Sequence, residues 1–229
     1  MAREGIPFIL LFLFPAALFL LLGYWVAGVI CVLLAVFMAF FFRDPDRQSP
    51  NGDTVIVSPA DGRVVVVAPA VQESNGSPTQ VSIFLSPLDV HINRAPISGE
   101  VIDVVYKRGA YHIASRAIAS VENEQNVVTI RGRCATVVFR QIAGVLARRL
   151  VLRLKPGDQV ELGDRIGLMK FGSRMDVLVP QGAEVLVHPG HRVVAGVTVI
   201  GRMRCESEGP GAGDRVPNRP LGGEGDQNG

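Results

Sequence analysis

Residues 7–42 lack any charged side chain, and that absence divides the chain before anything else is read. A membrane-spanning helix needs only about 20 such residues, so a wholly soluble protein is excluded. A secretory signal is excluded as well, because its apolar core is shorter and ends at a small-residue cleavage site. The stretch reads as a retained membrane anchor over residues 1–43. Its length suits one long tilted helix or two short ones broken near Gly23-Tyr24-Trp25, where a flexible residue meets two interface-seeking aromatics. Arg3 before the run and Arg43 and Arg47 after it favour a hairpin with both ends on the cytoplasmic side.

Cysteine is scarce. Cys31, Cys134 and Cys205 are far apart and form no CxxC, so neither a disulfide framework nor a zinc site is indicated, and a reducing compartment fits. Histidine is nearly as rare, with four in the chain. His188 and His191 flank an HPGH turn without accompanying carboxylates, which reads as a surface turn before a metal pair, so no metal is assigned. Aromatics are lacking where nucleic acid would need them. Of eleven Phe, eight precede Arg43, together with the single Trp, and the remaining body has no stacking set for bases. Negative charge is concentrated in the tail, where Glu206 to Gly229 carries five acids and two arginines, net −3; this leaves +5 on residues 1–205 of the whole-chain +2. Arg131, Arg133, Arg140, Arg148, Arg149, Arg153 and Lys155 supply much of that positive charge. They suit anionic lipid beside a membrane, or equally a solvated strand face.

What is present after the anchor is β chemistry. DPDRQSPNG closes a linker over residues 44–53, and TVIVSPADGRVVVVAP opens a body of β-branched runs bounded by Gly, Pro and charged residues. The expected fold is mainly β, a β-sandwich-like domain over residues 54–205 preceded by the helical anchor. The stretch from Arg108 to Asn126 is a polar excursion at the membrane or over a pocket. Residues 206–229 have too few apolar side chains to offset ordering entropy and are expected to be disordered. An internal repeat pairs KPGDQVELGDRIGLM with HPGHRVVAGVTVIGR, 33 residues apart, and each half reads as strand, glycine turn, strand.

Between the two halves lies Gly172-Ser173, flanked by apolar runs. A serine after a glycine can turn its hydroxyl on the glycine carbonyl, which no Cβ shields, although a β-turn is the commoner use of such a pair. A histidine at a strand end supplies a base near neutral pH, and a carboxylate can hold its tautomer. His91 in DVHINRAP and Asp61 in SPADG, with Ser173, make such a set from three strand ends. Arg94 and Arg174 stand nearest these residues in sequence. Either could hold a substrate phosphate or carboxylate, or pair with Asp89 or Asp176.

SPADG, LSPLDVHINRAP, NEQN, RQIAGVLARR and KFGSRMDV, in this order and spacing, resemble phosphatidylserine decarboxylases of the short, membrane-anchored type. The resemblance implies a proenzyme that cuts itself between Gly172 and Ser173, giving a β chain (1–172) and an α chain (173–229). Ser173 would become a covalent pyruvoyl group. The implied reaction takes phosphatidylserine, a phospholipid, to phosphatidylethanolamine and carbon dioxide at the cell membrane, with the catalytic domain on the cytoplasmic side. Longer members place a second histidine where this chain has Arg94, so the self-cleavage base shifts to His91. An archaeal ether-lipid equivalent would look the same to the site. Two other readings compete: a biotinyl- or lipoyl-like carrier modified at Lys170, suggested by GLMKFG after a PGDxVxxGD half-repeat, and a membrane-anchored sandwich without chemistry. Association into a homo-oligomer is left open.

Overall fold

The computed structural model describes residues 1–70, 77–116, 118–145, 149–170 and 172–205. The expected disordered tail lies outside the described residues. The apolar run breaks where the sequence offers a glycine: α1 (Ile6–Leu21) and α2 (Trp25–Phe41) form a hairpin that turns at Gly23, whose φ of +82° an L side chain rarely adopts. Pro15 lies inside α1. Arg3–Leu21 is long and apolar enough to cross a membrane by length and composition, while Trp25–Phe41 is a shorter apolar helix. The base of the hairpin packs on the body, with Phe41 and Phe42 buried against Val90, Ile92 and Leu168. Arg43 fixes that junction by donating to the Leu88 carbonyl at 2.8 Å.

The body is mainly β, as its β-branched runs require. Its strands are β1 (Val55–Val57), β2 (Gly62–Pro69), β3 (Thr79–Leu85), β4 (Ile92–Arg94), β5 (Gly99–Lys107), β6 (Gln125–Arg131), β7 (Thr136–Ile142), β8 (Leu150–Leu152), β9 (Gln159–Val160), β10 (Arg165–Met169), β11 (Ser173–Val179), β12 (Glu184–Val185), β13 (Arg192–Val193) and β14 (Val199–Arg202). One large sheet runs β13-β2-β3-β11-β7-β6-β5-β9, and two small sheets run β1-β14-β12 and β4-β10-β8. The main core lies along one face of the large sheet, on Val81, Ile83, Phe139, Met175, Val177 and their neighbours. β11 is central, hydrogen-bonded to β3 on one side and β7 on the other, and buried along its whole length.

The repeat is structural. Gly157 and Gly163 in the first half, and Gly190 and Gly196 in the second, all have positive φ, so each half is a strand-turn-strand unit set by glycine. The duplication extends further than the repeat alone. β14 pairs with β1 and β13 with β2, while β10 pairs with β4 and β9 with β5. The corners preceding β2 and β5, SPADG and APISG, are therefore counterparts. The Ala195 N–H donates to Asp61 at 2.8 Å, and the Leu162 N–H donates to the Ser98 hydroxyl at 2.9 Å, the same cap in each half.

Arg131, Arg133 and Arg153 are ion-paired with Glu100, Asp53 and Glu4, so these three of the basic set have acidic partners within the chain. The cysteine spacing indicated no pairing, yet the fold brings Cys134 and Cys205 into bonding contact across a separation of 71 residues.

Candidate active site

β11 begins at Ser173, and its first residue is the candidate nucleophile. Ser173 is paired with Leu85 at the end of β3, and from Leu85 the chain turns through residues 86–90 to His91. His91 in turn lies beside Met169 at the end of β10, whose N–H donates to the His91 carbonyl at 3.1 Å. The β3–β4 and β10–β11 connections thus run together at one corner and bring His91 and Ser173 to it. Both are buried, and neither Ser173 Oγ nor His91 Nε2 bonds another described protein atom.

The state of His91 follows from its surroundings. Its Nδ1 lies 2.8 Å from the Asp89 carbonyl, which only accepts, so Nδ1 carries the proton and Nε2 the free lone pair. The Phe41 ring lies over the imidazole at 4.0 Å between centroids and shields it from solvent. Burial lowers its pKa to about 4 against smaller opposing effects of Asp89 and Asp61. The ring is a neutral base at pH 7. Stability has the matching sign: as pH falls below about 6.5 the unfolded chain takes up a proton that the native site refuses, so native stability is lost as pH falls towards 4. Between pH 7 and pH 5 the loss is roughly 2 kcal/mol. The thermal midpoint in detergent should drop over that range, and the His91→Gln variant should lose this part of the drop.

Gly172, the residue before the serine, has φ +67° and open space where a Cβ would stand. Its carbonyl oxygen is closely packed on the other side. A Cβ built on Gly144 would lie 2.2 Å from it, so only glycine at 144 lets the β7 end approach the bond. Nothing local in the sequence singles out Gly144 beyond its place in RQIAG, straight after a run of strand residues.

The motifs that flank the site are tied together by amides. Asn126 Nδ2 donates to Gln141 Oε1 at 3.0 Å, and Gln141 Nε2 donates to Asn93 Oδ1 at 2.9 Å, a buried ladder joining NEQN, RQIAG and HINRAP. Asn123 donates to the carbonyls of His112 and Ala143 and accepts from the His112 N–H, which fixes the polar excursion beside the β7 end.

Asp61 sits close enough to bias His91 but forms no hydrogen bond to it. Its carboxylate is held by Arg47 at 2.6 and 2.9 Å and by the Ala195 N–H. In the sequence, Arg47 counted only as a positive charge flanking the anchor. Arg94 donates to the carbonyls of Gly163 and Pro45 and lies 3.5 Å from Asp44, so it fastens the linker to a repeat turn. Arg174 points to the opposite face of β11 from the core. It donates to Asp176 at 2.6 Å, to the Ser82 hydroxyl at 2.6 Å and to the Arg116 carbonyl at 3.3 Å. Asp176 also accepts from Ser120 and Gln80. Arg174 and Gln80 line a cavity of about 490 Å³ together with Ile118, Ser120 and Val121 of the excursion.

The Arg174–Asp176 pair is only 1% and 0% exposed, so removing one partner strands a buried charge. The expected cost is roughly 3–5 kcal/mol, whereas replacing both by apolar residues is near neutral. Asp176→Leu should therefore melt well below the parent, and Arg174→Met with Asp176→Leu should recover most of the difference. A double variant that folds, self-cleaves and binds lipid normally would confine Arg174 to a structural role.

Lys170 is buried, with its ammonium 4.9 Å from the centre of the Phe8 ring and 6.0 Å from that of Phe42. A carrier lysine must be presented on an exposed turn, and this one is not. The His188 and His191 rings lie in contact at the repeat turn, and no group of three metal-ligating side chains occurs among the described residues.

Residues 34–201 match the family model described as phosphatidylserine decarboxylase. Bacterial relatives agree over most of both chains, each named phosphatidylserine decarboxylase proenzyme. The protein from Solibacter usitatus is 52% identical over 78% of this chain and 86% of its own length. That from Trichlorobacter lovleyi is 45% identical over 87% and 95%, and that from Symbiobacterium thermophilum 46% over 88% and 95%. These matches place the chain among the carboxy-lyases, enzymes that remove a carboxyl group as carbon dioxide. Within that class it belongs to the phosphatidylserine decarboxylase family.

Proposed function

We propose that this chain is a proenzyme that cuts itself between Gly172 and Ser173, converts Ser173 to a pyruvoyl group, and then decarboxylates phosphatidylserine to phosphatidylethanolamine. The observation that carries the reading is the pair of buried reactive atoms without a described partner, Ser173 Oγ and His91 Nε2, at one corner beside the Gly172 peptide, which takes a positive φ. A buried polar atom without a partner is costly to keep, so two at one corner support a chemical role for them.

In the self-cleavage, His91 Nε2 takes the Ser173 hydroxyl proton while Oγ attacks the Gly172 carbonyl carbon; the carbon–nitrogen bond then breaks, His91 passes the proton to the departing Ser173 nitrogen, and the amide becomes an ester. Loss of the Ser173 α-proton then breaks the Cβ–Oγ bond and frees Gly172 as a carboxylate. The dehydroalanine left on the α chain takes up water and releases ammonia, so one water enters and one ammonia leaves. β11 stays in place throughout, because β3 and β7 bond it on both sides.

The residues at this corner suit the product. The start of β11 is buried and His91 is a neutral base there, so a ketone at position 173 would be screened from bulk water. When present, the pyruvoyl group supplies the electron sink for carbon dioxide loss. His91 Nε2 would take a proton from the substrate ammonium and return it to the decarboxylated carbon, with the Asp89 carbonyl fixing its tautomer and Phe41 excluding water. Asp61 would orient the corner through Arg47 and add negative potential. The apolar hairpin would hold the site at the bilayer that contains the lipid, with the body on the cytoplasmic side. The bacterial relatives favour a diacyl lipid over an ether lipid.

Ser173→Ala supplies the test. It should remain one chain of about the full 24.6 kDa on a denaturing gel and release no carbon dioxide from phosphatidylserine. A Ser173→Ala protein that still splits and still decarboxylates would refute the reading.

A further inference from the structure

Cys134 and Cys205 lie on opposite sides of the proposed cut, one in each product chain. Cys134 belongs to the tight turn between β6 and β7, closed by the Gly132 N–H donating to the Ala135 carbonyl at 3.0 Å, and it packs against the main core. Cys205 follows β14, whose exit is pinned by the Met203 N–H donating to the Thr54 carbonyl at 2.7 Å. Each cysteine is therefore presented by an anchored backbone. Their Cα atoms are 4.6 Å apart, within the roughly 4.4–6.8 Å that a disulfide spans.

We propose that Cys134 and Cys205 are a redox pair: thiols in the reducing cytoplasm, they close on exposure to a low-molecular-weight disulfide into a bond that ties the α chain covalently to the β chain after self-cleavage. The inference rests on the cut at Gly172-Ser173 for its interchain character, and on the fold alone for the bond. Without it the α chain is held by non-covalent contacts alone: sheet pairing of β11 to β3 and β7, β13 to β2 and β14 to β1, the shared core, and polar bonds such as Arg174 to Ser82 and the Ala195 N–H to Asp61. With it, the end of β14 cannot peel away from β1, since release of that strand would have to carry the β6–β7 turn along. The bond closes by exchange with a low-molecular-weight disulfide as oxidant. The two protein thiols lose two protons and two electrons, and the oxidant is reduced to two thiols. Cys31 lies in α2, apart from this pair, and stays a free thiol.

The full-length protein is equilibrated in detergent with glutathione disulfide, denatured, alkylated, and run with and without reductant, with intact masses taken in parallel. The expected result is one species containing both chains before reduction and two separate chains after it. One alkyl group is taken up before reduction and three after. Cys134→Ser and Cys205→Ser should each give separate chains in both lanes, with self-cleavage as in the parent. A chain that never splits but shows the same one-then-three alkylation keeps the bond and removes the cut instead. Two chains that separate without reductant, with Cys134 and Cys205 alkylated or carrying separate glutathione adducts, would overturn the proposal.

Discussion

Replacing His91 by glutamine slows the appearance of the α chain by about 10²–10⁴-fold, the usual contribution of a positioned general base. Glutamine approximates the volume beneath Phe41 and can still donate to the Asp89 carbonyl, but its amide cannot accept the serine proton. The comparison with alanine separates packing from chemistry. His91→Ala leaves a cavity under a fully buried ring and should melt lower than His91→Gln, whereas both should stall as single chains. The readout is the fraction of small chain on a denaturing gel against time. Cleavage of His91→Gln at the parental rate would move the base elsewhere. His112 is next in line, although it is 44% exposed and already paired with Glu122.

Gly144→Ala is expected to block self-cleavage nearly as fully without touching any ionisable group. The added methyl would stand 2.2 Å from the Gly172 carbonyl oxygen, where no real contact is tolerated, so the scissile peptide or the β7 end must shift. A displacement of about 1 Å at a reacting centre costs on the order of 10²-fold in rate. The same methyl would meet Ala114 at 3.3 Å, which leaves little room for the β7 end to retreat. The measurement is again the fraction of α chain with time, together with a melting curve showing that the variant folds. A folded Gly144→Ala protein that matures at the parental rate would show that the carbonyl can move freely, and that Gly144 plays no part in positioning it.

Both predictions concern residues that the sequence presented unequally. His91 was legible because a histidine amid polar groups at a strand end is a rare arrangement in a chain with four histidines. Gly144 was not, because what makes a glycine essential is the group that approaches it, here a carbonyl 28 residues away. The helix break at Gly23 and the repeated half-units were legible for a local reason. Glycine and Pro-Gly turns act over a few residues, and the apolar run and β-branched stretches carry their own periods. The wider duplication was hidden because SPADG and APISG share little beyond a proline and a glycine, and only strand pairing shows that Asp61 and Ser98 cap matching turns. Arg174 and Asp176 are two apart in a strand and so share a face, which the sequence allowed. The partners that complete the network, Ser82 and Ser120, lie 92 and 56 residues away. The pairing of Cys134 with Cys205 was invisible for the same reason of distance.

The most direct measurement of the central claim is the intact mass of the purified, reduced and denatured protein. Self-cleavage at Gly172-Ser173 predicts two masses, a chain ending in Gly172 and a chain starting at residue 173 that is lighter by one ammonia than a serine-led chain and is blocked to amine-directed sequencing. A single mass equal to the full 229-residue chain in an active preparation, or a small chain with a free serine amine, would contradict it.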